Sequence, residues 1–430
     1  MTSRYAIYVL ALMFSINFLN YVDRWIASAV APLIQAEFTL SDFQLGLLGS
    51  AFTFVYAIAA LPFGLWADRG LRKTVIGTGV AIWSAATLLT GFTTNFLQLF
   101  VTRALLGVGE ASYYPASTSL LGDLFSRDVR GRAMAIFSAG SVFGIAVGFA
   151  GGGIFASAYG WRPTFLVSAV PGLVLAALAF GLREPLRGAA EAVGPRVRHA
   201  RDASIGKMLG LLRIKTLRDV VLAQTVLFFV LGANAYWLPT LLTRRFAMDV
   251  GEAGTLSGGV IVIGGLVGTL VGGWAADWRR KSSARADLEV SIVGFLAGAV
   301  LIGLALVAPA VWFVPLFLLT VISVYIYTGP FTAIGQNVVV PSLRGSAVTI
   351  TLLIAHLFGD AYSPALVGLL SDAIGSLQLA LLIVSPGLLL LAAGLAALAL
   401  GSIQSDTLNM DREWLERGAA SQSGAMPAVR

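Results

Sequence analysis

The chain has 430 residues, of which 57% are apolar and 12% charged, and its mean hydropathy is +0.84. A soluble domain carries about 25% charged residues, so 29 Lys and Arg with 22 Asp and Glu cannot coat a water-soluble globule of this length. Cysteine is absent, which excludes disulfides, thiolate metal sites and cysteine nucleophiles.

The apolar residues form twelve blocks, approximately 6–34, 44–67, 74–93, 97–121, 133–158, 163–182, 217–243, 252–276, 288–308, 311–338, 346–371 and 376–400. Each is near the ~20 residues a helix needs to cross a bilayer. The runs are continuous and do not alternate, which predicts helices and not barrel strands. The first block runs on to Leu33, past the length of a signal-peptide core, and is expected to remain as a span. In the fourth, Pro115 predicts a kink.

Between blocks six and seven, Pro185, Gly194 and Pro195 lie among scattered Arg. The expected organisation is a six-helix bundle over 1–182, a cytoplasmic linker over 183–216, a second bundle over 217–400 and a cytoplasmic tail over 401–430. Within the tail, Asp411–Glu416 is expected as a short surface helix and Ser421–Arg430 as disordered. The fold class is therefore an all-α polytopic membrane protein.

With the N-terminus inside, 24 of the 29 basic residues fall on inside segments. Only Arg162, Arg244 and Arg245 fall outside, and Arg24 and Arg103 fall within the membrane. This asymmetry predicts cytoplasmic termini. It also explains the net charge of +7 without nucleic acid.

The two halves echo each other. Gly64-Leu-Trp-Ala-Asp68-Arg69 ends block two, and Gly273-Trp-Ala-Ala-Asp277 with Arg279 ends block eight, 209 residues later. Arg130-Gly131-Arg132-Ala133 and Arg344-Gly345-Ser346-Ala347 repeat at an offset of 214 before blocks five and eleven. Two similar offsets at equivalent loops indicate a duplicated six-helix unit, an architecture of secondary transporters that bind substrate between the halves.

Gly64-Leu-Trp-Ala-Asp68-Arg69-Gly70-Leu71-Arg72-Lys73 and Arg103-Ala-Leu-Leu-Gly107-Val-Gly109-Glu110-Ala111 resemble the loop 2–3 and helix-four signatures of the major facilitator superfamily. The first departs in one detail, since Gly70 precedes the position, here Leu71, where the family has its second Gly. Asn20-Tyr21-Val22-Asp23-Arg24, Gly359-Asp360-Ala-Tyr-Ser363-Pro364 and Ser371-Asp372 are similar to the Spinster family within it, which moves lysolipids and sphingolipids. A bacterial member would sit in the inner membrane. The resemblance implies twelve helices in two pseudo-symmetric bundles, alternating access, Asp23 and Glu110 in proton coupling, and Arg24 as a contact for an anionic head group.

Glycines permit close helix approach in membranes. Gly64 is expected to seat helix two on helix eleven, and Gly273 to do the same for helices eight and five. Asp68 is expected to face the N-terminal end of helix eleven and pair with Arg132, with Arg69 and Asp277 as further gating residues. Arg72 and Lys73 read as ordinary positive-inside charges. The rows Gly140, Gly144, Gly148, Gly152 and Gly264, Gly268, Gly272 each form a small-residue stripe, and the resemblance, which implies that helices five and eight face each other, makes a seam between them the expectation.

Charges inside a membrane are costly and mark function. Five are present: Asp23, Arg24, Arg103, Glu110 and Asp360. At 1.5 Å per residue, Arg103 lies roughly 9 Å and Glu110 roughly 20 Å below the outer end of helix four, with Asp23 at a depth of roughly 16 Å. A buried carboxylate favours its protonated form and a nearby Arg its charged form, so motion of Arg103 relative to Asp23 or Glu110 would bind or release a proton. Asp23 and Arg24 point about 100° apart; the expected arrangement has Asp23 against helix four and Arg24 toward the cavity.

Asn20, Tyr56 and Tyr114 join Arg24 as expected substrate contacts, with Tyr113 and Phe331 as further aromatics. His356 and Asp360, four apart, form a possible second polar site in the C-terminal half, where Gln224, Asn234, Tyr236, Gln336 and Asn337 add neutral polarity. A cavity charged on one wall suits an amphipathic anion or zwitterion. The expected function is proton-coupled transport of a lysophospholipid-like substrate. The alternative is a multidrug or organic-anion transporter on the same fold. No enzymatic constellation, channel filter, cofactor or metal site is read, and a monomer is expected.

Overall fold

A computed structural model describes residues 4–186 and 205–422, and every regular element among them is helical. Helix one is Arg4–Ala29, continued as Ala31–Phe38; helix two is Asp42–Arg69 and helix three Arg72–Thr90. Helix four is split into Phe96–Glu110 and Tyr113–Leu124, helix five is Arg127–Tyr159 and helix six Trp161–Phe180. Helix seven is Lys215–Phe246, helix eight Val250–Arg280 and helix nine Ala286–Val307. Helix ten is split into Ala310–Tyr325 and Thr328–Asn337. Helix eleven runs Arg344–Ala355, a π-helical His356–Asp360 and Ser363–Ile374; helix twelve is Leu377–Leu398.

All twelve expected blocks are thus helical, and ten stretches among the described residues are long and apolar enough to cross a bilayer. The remaining two are helix three, diluted by Arg72, Lys73 and several Thr and Gly, and the divided helix four.

The divisions have a common cause. Proline lacks an N–H for the carbonyl four residues back and crowds it sterically. Pro115 points back to Ala111, Pro330 to Ile326 and Pro364 to Asp360, and the helices break at or next to those residues. The kink expected at Pro115 is therefore a break one turn earlier, directly after Glu110. Pro115 and Pro330 lie 215 residues apart, so the duplicated unit carries the same break in both copies.

The chain separates into two compact units. One takes the six N-terminal helices together with Gly232–Val262 and Asp360–Leu381; the other takes 205–231, Ile263–Gly359 and 382–422.

Within the first unit, the helix-five glycine row does not face helix eight. A methyl on Gly140, Gly144, Gly148 or Gly152 would meet Phe14, Phe18, Val22 or Ile26 of helix one. In the second unit, Gly264, Gly268 and Gly272 seat Val321, Ile322 and Ile326 of helix ten. Both rows are packing seats inside their own half. Contact between helices five and eight uses Gly153, Gly254 and Gly258 against Val250 and Phe149.

The pairing of helix two with helix eleven is present, at the opposite end from the one expected. Gly46 lies against the Pro364 backbone and Gly368 against the Asp42 backbone, whereas Gly64 and Gly273 have nothing within 4 Å of an added methyl. Gly46 and Gly254 are 208 residues apart, so the duplication supplies equivalent close-approach points on helices two and eight.

After helix twelve the chain forms a helix over Ile403–Gln422, longer than the expected Asp411–Glu416. It is anchored at its start: Asp406 Oδ2 accepts from the Thr216 backbone N at 2.9 Å, and Thr216 Oγ1 is 2.8 Å from Ser402 Oγ. Helicity reaches Ser421 and Gln422, which were expected to be disordered. Residues 423–430, and 187–204 of the expected linker, lie outside the described residues.

Candidate functional site

Helices one and four build the polar centre of the first unit. Arg24 donates to Glu110 Oε2 from Nε at 3.1 Å and from Nη2 at 2.8 Å. Glu110 is fully buried, while the Arg24 side chain keeps 20% of its surface exposed. The guanidinium carbon also lies 4.9 Å, 5.0 Å and 5.1 Å from the ring centres of Tyr21, Phe52 and Tyr56. An aromatic wall of this kind attracts a cation through its quadrupole.

Glu110 is the last residue before the break in helix four. Carbonyls at a helix C-terminus carry partial negative charge, so a carboxylate there depends on its cation. Asn20, fully buried, stands beside it. Arg103 is 5% exposed, lies 5.4 Å from the Phe52 ring centre and falls within electrostatic reach of both Glu110 and Asp23.

Asp23 and Arg24 take the reverse of the expected arrangement. Arg24 is the residue that binds helix four. Asp23, 1% exposed, instead accepts a hydrogen bond on Oδ1 from the Ser168 hydroxyl of helix six. The two side chains diverge as their 100° separation requires, but in the opposite sense from the one expected. Glu110 Oε1 and Asp23 Oδ2 each lack a hydrogen-bond partner among the described residues.

Tyr114 is 46% exposed and packs beside Phe137, with ring centres 5.6 Å apart. Tyr113, by contrast, is core: it is buried, and its hydroxyl donates to Asn17 Oδ1 at 2.7 Å. Phe331 is also buried, edge-on to Phe295. His356 rests against Phe228 at 5.1 Å between ring centres. It shares the π segment with Asp360, and the wider π turn changes the spacing that an α-helix would give this pair.

Among the expected gating residues, Arg69 and Arg132 are exposed, and the Asp68 side chain lies outside what the structure describes. Asp277 pairs with Arg280, which also pairs with Asp287. Arg72 departs most from expectation. It is fully buried, paired with Asp123 and, at 2.7 Å, with Glu184, and its Nη2 donates to the Pro185 carbonyl at 3.1 Å. It ties helix three to the ends of helices four and six.

A second polar cluster was not anticipated. Arg244 donates to both oxygens of Asp42, at 2.9 Å to Oδ2, and to Gln35 Oε1 at 2.6 Å. Ser371 donates to Asp42 Oδ2 at 2.5 Å. Asp372 accepts from the backbone N–H groups of Asp42 and Phe43 at 2.9 Å and 2.8 Å. The start of helix two is thereby joined to the ends of helices seven and eleven. Nearby, Tyr236 Oη donates to the Leu45 carbonyl at 2.6 Å, and Ser28 Oγ donates to the Tyr236 carbonyl at 2.7 Å. The one local signal was Ser41 with Gln44, a helix-starting box that the structure forms.

A buried ion pair inside a helical bundle built from two copies of one unit marks a membrane transporter. The family model of the Major Facilitator Superfamily matches residues 13–364. Spinster homolog 1 of Xenopus laevis is 33% identical over 389 residues, covering 86% of this chain and 73% of that protein. The sphingosine-1-phosphate transporter SPNS2 of Danio rerio is 32% identical, covering 83% and 74%. The chain belongs to the Spinster family of major facilitator transporters. In fold, it is similar to the crystal structure of a bacterial homolog to human lysosomal transporter, Spinster, in an inward-facing and occupied conformation. The TM-score is 0.83 and the identity 24%, covering 94% of this chain and 99% of that one.

Proposed function

We propose that the protein moves an anionic amphipath of lysophospholipid type by alternating access, coupled to protons. The observation that carries this reading is the Arg24–Glu110 pair. Its cation is partly exposed and ringed by Tyr21, Phe52 and Tyr56, and its anion is fully buried. A phosphate approaching Arg24 competes with Glu110 for the same donors. A buried carboxylate deprived of its cation is strongly unfavourable, and a proton neutralises it. Substrate and proton therefore act through one guanidinium, with Arg103 and Asp23 within reach of the same charge. The name of the SPNS2 relative describes a lysolipid phosphate, which fits this chemistry.

Gating follows from contacts that must break for each side to open. At the Asp42 end the Asp42–Arg244 cluster and the Gly46–Pro364 contact fill that role; Gly64, Asp68, Arg69, Arg132, Gly273 and Asp277 are proposed for the other. Tyr56, Asn20 and Tyr114 are proposed to contact substrate, and His356 and Asp360 to form a second polar site. Both termini are assigned to the cytoplasm and the protein to a bacterial inner membrane, as a monomer.

The test is uptake into proteoliposomes of a lysolipid panel under an imposed pH gradient, with small organic anions and cationic drugs as comparison arms. Lysolipid uptake that rises with the gradient is expected. Absence of both lipid movement and lipid-dependent proton flux would overturn the reading, and uptake of the comparison compounds alone would favour a multidrug or organic-anion transporter.

A further inference from the structure

We propose that Ser168 is the positioning residue for Asp23, its hydroxyl setting the pH at which that carboxylate takes up a proton. The inference rests on the reading of Asp23 as a proton-coupling group.

Hydroxyls inside a helix commonly bond back to a carbonyl of the preceding turn. Thr164 does so to Gly160 at 2.9 Å, Thr87 to Trp83 at 3.0 Å and Thr90 to Ala86 at 2.8 Å. Ser168 does not: its hydroxyl hydrogen goes across to Asp23 of helix one. The rest of helix six offers nothing equivalent, since Arg162 at its outer end is the only charged residue of Trp161–Phe180. Ser168 is thus the direct polar link between an apolar helix and a buried acid.

The surroundings of Asp23 sharpen the role. Helix four presents Arg103 and Glu110, helix three presents Thr87, and helix one itself carries Arg24, which is turned to Glu110. Helix five, packed on the same stretch of helix one, presents Gly144 and Gly148 and no titratable group. Arg24 being committed elsewhere, the hydrogen bond from Ser168 is the leading contact stabilising the ionised form, with Thr87 and the charge of Arg103 adding to it. A hydroxyl that donates to a carboxylate favours that form. Asp23 Oδ2, without a partner among the described residues, is left as the oxygen that receives the proton. Asp23 is held by the packed helix six while Glu110 sits at the helix-four break, so the two acids answer to different parts of the bundle.

The test uses the full chain in lipid and follows the protonated-carboxyl infrared band that disappears in Asp23→Asn. In Ser168→Ala this band is expected to persist about one pH unit higher, roughly a tenfold change in proton affinity, as loss of a hydrogen bond to a charged group would produce. Ser168→Thr, which keeps the donor, is expected to restore the wild-type titration. A Ser168→Ala band that titrates as wild type overturns the proposal. Uptake assays on the same variants separate the underlying reading: pH-dependent transport surviving in Asp23→Asn overturns proton coupling through Asp23, while the infrared titration still decides the part played by Ser168.

Discussion

Arg244 and Asp42, 202 residues apart in the chain, meet in a two-point ion pair that fastens the end of helix seven to the start of helix two. Gln35, Ser371 and Asp372 complete the clasp from two further segments. In an alternating-access cycle this pair must part when the Asp42 end opens.

Asp42→Asn keeps the size and loses the charge. It should raise the population open at that end about tenfold, taking ~1.4 kcal/mol for the weakened charge-assisted bonds. Because the chain has no native cysteine, Ser50→Cys beneath the clasp can be labelled directly. Maleimide labelling should accelerate in the Asp42→Asn background; an unchanged rate would show that the clasp does not hold this end closed.

The Arg24–Glu110 pair predicts opposite effects from its two partners. Glu110→Gln removes the competing charge, so binding of a lysolipid phosphate should tighten and lose its pH dependence while gradient-driven uptake disappears. Arg24→Lys keeps the charge but not the planar fork, and binding should weaken about tenfold or more. Isothermal titration across pH values distinguishes these outcomes.

Buried Arg72 and partly exposed Lys73 are adjacent in sequence but differ in environment. Arg72→Ala removes the guanidinium shared by Asp123 and Glu184 and should cost about 3 kcal/mol or more, as loss of one partner of a buried pair does. Lys73→Ala should stay within about 0.5 kcal/mol. Thermal unfolding of the two variants in the same detergent would measure the contrast.

Gly46 and Gly64 lie on one helix and make contrary predictions. Gly46→Ala collides with the Pro364 backbone and should destabilise by about 1–3 kcal/mol. Gly64→Ala enters open space and should be neutral or stabilising by up to about 1 kcal/mol. Equal unfolding temperatures for both would remove the assignment of Gly46 as the contact point.

Glu37 accepts from Arg162 at 2.6 Å and from Trp161 Nε1 at 2.6 Å, and the hydrogen bond from Arg162 is the main cause holding its carboxyl below the usual value of 4.5. A depressed carboxyl contributes stability that is complete above its unfolded value and lost as pH falls through the folded one. Melting temperature should therefore drop on acidification below about pH 5, and Glu37→Gln should flatten that part of the curve.

The sequence by itself determined the solvent, the twelve helices and the duplication, and it singled out the four charges carried by helices one and four. Each follows from composition or from spacing along one helix, where 1.5 Å per residue converts number into position. Even the prolines were informative, and only the place of the helix-four break moved, from Pro115 to the residues after Glu110.

What the tertiary structure decided was direction and partner. Spacing of four makes a glycine stripe but does not say what lies on it, and both stripes proved to seat helices of their own half. Adjacent residues on a helix must diverge, but rotation of the helix against its neighbours chose Arg24 for Glu110 and Asp23 for Ser168. Arg72, read as a surface charge, was buried by two acids 51 and 112 residues away. The few charges withdrawn from water acquire their roles from partners that only the packed helices bring within reach.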